Sequence, residues 1–472
     1  MTMPTHYYLA RLTLECATPL SIGTGRGDGV FDVQLVTDAN GLPAIPGTTL
    51  AGVLRHLFKH AGGNDDLLFG HTDKTTSQAS RLEVSWGVLC DSHGRAADGL
   101  LLNGVIDDPL LQHAADLAGQ PLIRDRVRIT HRGAAADKGK FDRSILPAGY
   151  RFAAELALWG TPADGEEWQR LLSLLNDPAF RLGGATRAGL GAMKVIACHT
   201  RTFDLASAAD AEAFRTLGRA VDDHTGLDNS TLVKNTSRRV IEFELKPNSY
   251  WRIGQGNLPQ CKDGNGKTAD LLPRLEQRVL WNGEGKGELV AAKRHLLVPA
   301  ASIKGALSHR VAFHYNRFSG QFAEDMADAV DGYDKSAANV AVRALFGYAR
   351  GATRDDAKGK AGCLLIDDVY LDEYIAGKNL QQVMHNAIDR FTGGVRNHML
   401  FSEKMVWQVS IPFKITVLDE TVFKDQNIKR ALDAALADLC EGRLALGGGA
   451  GKGHGFFTGI RKDPPFSTGA AA

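Results

Sequence analysis

Five short blocks of residues occur twice in this chain, in the same order, about 230 to 280 positions apart. Leu20-Ser21-Ile22-Gly23-Thr24-Gly25 returns as Trp251-Arg252-Ile253-Gly254-Gln255-Gly256. Ile45-Pro46-Gly47-Thr48-Thr49-Leu50-Ala51-Gly52 returns as Val298-Pro299-Ala300-Ala301-Ser302-Ile303-Lys304-Gly305. Leu68-Phe69-Gly70 matches Leu345-Phe346-Gly347, and Arg128-Ile129-Thr130 matches Arg390-Phe391-Thr392. Leu182-Gly183-Gly184 and Leu446-Gly447-Gly448 each open a glycine-rich stretch, ending at Gly191 and Gly455. One such pair is within reach of chance. Five in a fixed order mark an internal duplication, so the fold must be one that closes a core twice.

The repeats divide the chain into a first module, 1–202, a polar linker, 203–238, and a second module, 239–472. Residues 7–15 and 239–246 alternate apolar and polar, as half-buried strands do. Helical patterns fall at 53–60, 206–221, 306–317 and 427–439. Strand and helix alternate irregularly, which predicts an α+β fold rather than a doubly wound sheet. Two insertions, 91–147 and 256–294, are rich in Gly, Asp, Lys and Arg. Loops of that length inside a compact domain are expected to be functional or mobile.

Composition narrows the function classes. Among 472 residues the formal net charge is +1, with a sequence pI near 7.7. A free-standing nucleic-acid binder is expected above about 9, so any such role must rest on local basic clusters or on partners. No run of ~18 apolar residues is present, so no membrane span is expected. Residues 1–11 lack an apolar signal-peptide core, and a cytoplasmic location is expected. The six cysteines are scattered with no zinc-ligand spacing, which predicts reduced thiols and no structural zinc.

Four features carry candidate chemistry, each with a plainer alternative. Gly183, Gly184 and Gly189 surround Arg187, and Gly447 and Gly448 precede Lys452 and His454. Glycine lets backbone amides approach a phosphate, although a tight turn needs the same residues. After Pro46, Thr48 or Thr49 could cap a helix whose free amides suit an anion, with Arg55 alongside. Ser302, Lys304 and Arg310 occupy the second copy. An ordinary N-cap is the alternative. Residues 124–143 form a basic hairpin pattern with Arg128, His131 and Arg132 near its tip, and 388–404 is its counterpart with Arg390. A protruding basic hairpin can wedge a base step, or be merely solvated. Asp32 follows the first glycine block at a strand start, where a turn-capping role competes.

Together these blocks resemble the RAMP superfamily of CRISPR-associated proteins, and specifically the backbone subunit of type III effector complexes. The pair looks like a type III-D-like double backbone protein. The resemblance implies two ferredoxin-like, RRM-related modules, each with a β-hairpin thumb, near 120–147 and 385–406. It implies a guide-RNA-binding subunit that cleaves complementary target RNA beside its thumbs. Its partners would be guide RNA, target RNA, other RAMP subunits and a large type III signature subunit, with no membrane. Asp32 matches the position of the catalytic aspartate in that family, about fifteen residues before the Pro-Gly turn. In the second module Glu276 is the nearest counterpart and Asp270 another. Asp32 is expected to hold a divalent ion, Mg or Mn, or to position the 2′-OH, since a carboxylate near ~3.9 is a weak base at neutral pH. Two alternatives stand beside this reading: a non-catalytic guide-binding scaffold, and a stand-alone guide-processing endonuclease.

Overall fold

The computed structural model describes residues 3–25, 34–73, 75–101, 106–130, 133–232, 238–254, 269–291, 295–321, 339–349, 359–372, 376–463 and 466. Each half runs strand, helix, strand, strand, helix, strand. In the first half these are His6–Cys16, Gly47–His60, Leu82–Val84, Arg151–Gly160, Gly165–Ser173 and Met193–Asp204. In the second they are Val240–Pro247, Ala300–Phe318, Leu364–Ile366, Ile411–Val417, Gln426–Cys440 and Phe457–Arg461. Both sheets are antiparallel, and in both the fourth strand borders the first, the first the third, and the third the second. This is the ferredoxin-like arrangement, made twice.

The registers of the first three strands match between the halves. Leu156 pairs with both Ala10 and Val84, as Ile415 pairs with both Ile241 and Ile366. Alternation explains which side each strand buries: Ile241, Phe243 and Leu245 face the core while Glu242 and Lys246 face out. Leu50, Leu54, Leu57 and Phe58 from the first-module helix close one core, and Ile303, Leu307 and Val311 close the other.

Three expectations change in detail. The helices begin earlier than their apolar periodicity suggests, at Gly47 and Ala300, directly after Pro46 and Pro299. The proline occupies the cap position, with no side-chain cap bond. Thr48 and Thr49 therefore lie inside the first turn and cap nothing. The linker holds a shorter helix, Ala208–Arg215, and is no spacer. Phe214, Leu217 and Leu227 pack on Tyr7, Leu9, Ala157 and Phe203, on the sheet face opposite the main core. Finally, much of the second insertion is a docking element. Its hairpin, Arg278–Trp281 with Gly287–Val290, reaches into the first module. Val279 lies in the first core, the Val279 N–H bonds the Ala148 carbonyl at 2.9 Å, and the Trp281 indole N–H bonds the Gly149 carbonyl at 2.7 Å.

Candidate nucleic-acid interface

The first hairpin extends from the strands Leu122–Ile123 and Ser144–Ile145 into Arg126–Ile129 and Ala135–Phe141. It leans over the second module. The Ile129 carbonyl lies 3.1 Å from the His309 Nε2 atom on the second-module helix. Between hairpin and helix is a cleft of about 1130 Å³. One wall carries Arg124, Arg126, Arg128, Lys140 and Arg143; the other carries Arg274, Ser302, His309 and the backbone of 447–450. Asp125 is the one acid on this lining, and no Phe, Tyr or Trp contributes. A cleft so lined offers charge to a polyanionic backbone and no aromatic ring on which a base could stack.

Beside the cleft, positive charge goes uncompensated. Arg126, Arg143, Arg187 and Lys304 have no carboxylate partner among the described residues. The Lys304 ammonium, 3.2 Å from the Arg187 carbonyl, comes from the second module and Arg187 from the first. Burial, then the Arg187 and Arg126 charges, push Lys304 down to about 8. The Nε atoms of Arg143 and Arg187 are buried without a hydrogen-bond partner. Cations held together without counter-ions are a standing cost that a bound anion relieves.

At the floor of the seam cations instead meet carboxylates, although Arg124 Nε, Arg181 Nη1 and Arg274 Nε are also buried without a hydrogen-bond partner. Arg124, 4 % exposed, bonds both Asp368 and Glu276. Arg274 reaches Glu276 at 3.4 Å and the Tyr370 hydroxyl donates to it at 2.9 Å. Asp368 also accepts the Ala300 N–H at 2.8 Å, and Arg181 pairs with Asp367. Burial and the Glu276 charge push the Tyr370 phenol up.

This placement corrects the role expected of Glu276. It is 2 % exposed and its carboxylate is committed to Arg124, Arg274 and Tyr370, so it joins the modules and is not presented to a ligand. The register also reassigns its counterpart. Isolated bridges link Gly23 to Leu35 and Gly254 to Pro273. Counting back three residues from each, Asp32 corresponds to Asp270, and Glu276 corresponds to Asp38. Asp32 itself, with His131 and Arg132, lies outside the described residues. Asp270 is exposed at the base of the second hairpin, where its Oδ2 accepts the Ser402 N–H at 2.7 Å and the Ser402 hydroxyl at 3.1 Å. The Ser402 backbone N–H, then its hydroxyl, hold the Asp270 carboxyl below the usual carboxylate range.

The other candidates divide. Arg128, Ser302, Gly447 and Gly448 line the cleft. Lys452 lies over the Phe401 ring at 4.9 Å and 3.7 Å from Glu403, at the base of the second hairpin. His454 packs against Tyr250 nearby, and Arg390 is exposed at that hairpin's tip. Arg55 is turned away, pairing with Asp65 and Asp66 at 2.8 Å. Arg310 pairs with Asp438, which also holds Arg443 and His314. Both arginines therefore fasten helices to their neighbours, and neither lines the cleft. Gly183 packs on the Ser21 backbone, and Gly184 lies against the Arg143 guanidinium. At Gly189, φ is +96°, and a Cβ there would come within 2.5 Å of the Ala300 Cβ. The first glycine loop is thus shaped by the approach of the second module. It serves as a joint, and its Ala188 and Leu190 also border the cleft. Sequence reasoning missed Arg124 as the keystone, because its partners lie 152 and 244 residues away.

A family model for the RAMP superfamily matches residues 13–194 and 279–458. The chain belongs to the RAMP superfamily. That family includes CRISPR-associated RNA-binding proteins, some of them RNA endonucleases. No curated protein matches the chain. The two matched regions are the two halves that the sheets define, so this is a tandem RAMP protein. The second match starts late because the insertion separates Val240–Pro247 from the rest of its RAMP module. Among the described residues, no helix is long and apolar enough to cross a membrane.

Proposed function

We propose that this protein is a guide-RNA-binding backbone subunit of a type III CRISPR complex, and that it cleaves target RNA beside each thumb. The observation that carries the reading is the cleft between the first thumb and the second palm, where Arg126, Arg128 and Arg143 line the wall with no carboxylate partner among the described residues. It supplies local charge that the net +1 of the chain conceals. The lining reads phosphate and sugar, so sequence choice falls to base pairing with the guide.

In the proposed reaction the ribose 2′ oxygen forms a bond to the adjacent phosphorus while the bond from phosphorus to the 5′ oxygen breaks. A 2′,3′-cyclic phosphate and a 5′-hydroxyl result. An A-form helix does not allow the required in-line geometry, so a thumb must first displace a nucleotide. Asp270, at the base of the second hairpin, and Asp32, its counterpart by sequence counting, would orient the 2′-OH. Held ionised by Ser402, Asp270 is suited to positioning rather than to strong base catalysis. One exposed carboxylate fits Mg or Mn only if RNA phosphates complete the ligand set. Asp32 and Asp270 would hold such an ion, which would neutralise phosphate charge.

Binding of single-stranded RNA across a salt series tests the reading. Each neutralised phosphate contributes a slope of about −0.7. Arg126→Gln with Arg128→Gln is expected to lower the slope by about 1.4. An unchanged slope would place RNA elsewhere.

A further inference from the structure

The linker covers the outer face of the first sheet, whereas on the equivalent face of the second Glu242, Lys414 and Ile460 are exposed. Strand register sets what lies beneath it. Arg11 pairs with both Glu155 and His199, so these three stand side by side in the middle of the face. Arg11, 2 % exposed, donates to the Glu155 carboxylate at 2.8 Å, to the Gly218 carbonyl at 2.7 Å and to the Asp223 carbonyl. Beside it the His224 ring stacks on the His199 ring, with centroids 3.8 Å apart and planes 17° from parallel. The linker then returns along the sheet edge, where Asp228 and Asn229 pair with Thr200 and His199.

The neighbouring acids are engaged elsewhere. Asp222 accepts the Ala96 N–H at 2.8 Å, and Asp223 accepts the Thr225 N–H at 2.9 Å. Glu155 holds Arg11, and Asp210 holds Arg201 at 3.2 Å. Arg95, on the loop against Asp222, pairs with Asp91. The Nδ1 atoms of His199 and His224 are buried without a hydrogen-bond partner. Burial, then the nearby His199 and Arg11, hold the His224 imidazole below its ordinary value of 6.5, while Asp222 and Asp223 act the other way.

We propose that residues 217–229 form an acid-opened strap, which a proton on the stacked imidazole pair releases from the first sheet. With His224 neutral, the ring stack and the Arg11 bonds keep the strap closed. Once protonated, His224 adjoins Arg11 and His199 in a site partly withdrawn from water, whereas in the open strap the same imidazolium is solvated. The closed strap therefore binds fewer protons than the open one, so closure is favoured at higher pH and is lost as pH falls below 6.5. Arg11 stays charged throughout, which leaves the switch to the imidazoles. Opening withdraws Leu217 and Leu227 from the Tyr7, Leu9, Ala157 and Phe203 cluster and bares an apolar patch on the outer sheet. No RNA contact is involved, so the strap stands apart from the proposed function.

The test is amide exchange of the full chain between about pH 5 and pH 7.5, corrected for the intrinsic rate at each pH. Opening of 217–229 is expected to become at least about threefold more frequent at the acid end, while strand 240–247 stays unchanged. His224→Phe keeps a ring on His199 without the proton and should remove that dependence with the strap closed. An NMR titration of the wild-type imidazoles decides the matter if the phenyl ring does not seat: His224 should titrate below free histidine. Exchange at 217–229 that is indifferent to pH overturns the proposal. So does an equal pH dependence in His224→Phe, or a His224 that titrates like free histidine.

Discussion

Two carboxylates six positions apart in sequence have opposite fates. Glu276 is locked under Arg124, Arg274 and Tyr370, whereas Asp270 is exposed and held by Ser402. Glu276→Ala should leave Arg124 facing Asp368 alone in a buried site and destabilise the protein by about 3–5 kcal/mol, read from denaturant unfolding. Selective loss of one RNA cut with stability unchanged would argue against the structural role. Lys304 makes the contrary kind of prediction. Its pKa is lowered from 10.5 to about 8, so the folded state binds fewer protons than the unfolded state between those values. The contribution of this group to stability therefore rises with pH across that window. Lys304→Met should abolish that rise and stabilise the RNA-free protein near neutral pH, on the order of 2 kcal/mol, while weakening RNA binding. A variant that is less stable and binds normally would make Lys304 structural. None of this division was visible in the residues alone: Glu276 and Asp270 share a residue class and a loop, and only the bridges Gly23–Leu35 and Gly254–Pro273 fix the register between copies.

At the scale of elements, the sequence disclosed what local pattern determines. Alternation found the first strands, apolar periodicity found the two helices but started them about six residues late, and the basic run 124–143 found the first hairpin. It did not disclose where non-local contacts send an element. The second insertion has the composition of a mobile loop. Yet its Trp281 stacks under Arg151 at 3.8 Å, and the same indole bonds Gly149. Trp281→Ala should remove about 3 kcal/mol and loosen the two modules together, seen as faster amide exchange at 278–290 and 148–151 alike. Exchange confined to the hairpin would show that it does not couple them. The glycine loops teach the same lesson. Gly183–Gly184 and Gly447–Gly448 read alike and both loops border the cleft, but among the described residues only the first is met by the other module, where Gly189 approaches Ala300. Sequence identity between repeats does not imply equal surroundings when only one of them has a neighbour in the chain.

For the whole molecule, duplication means more than two similar halves. The halves share one seam, with matched ions at its floor and unmatched cations at its mouth, and the mouth is where a polyanion fits. In the proposed reading, stability and RNA binding fall to different residues of one interface. Arg124 and Glu276 hold the modules in place, so that Arg126, Arg128 and Lys304 can face a ligand between them. In the proposed function, RNA held by this chain is cut beside each thumb with one carboxylate per module, Asp32 and Asp270. The most direct measurement maps target-RNA cut positions with the reconstituted complex carrying the wild-type chain, Asp32→Asn, Asp270→Asn or Glu276→Gln. The expected result is loss of one cut with Asp32→Asn, loss of a different cut with Asp270→Asn, target binding retained in both, and both cuts kept by Glu276→Gln. Both cuts persisting in the Asp32→Asn and Asp270→Asn chains would contradict it and leave the protein a scaffold.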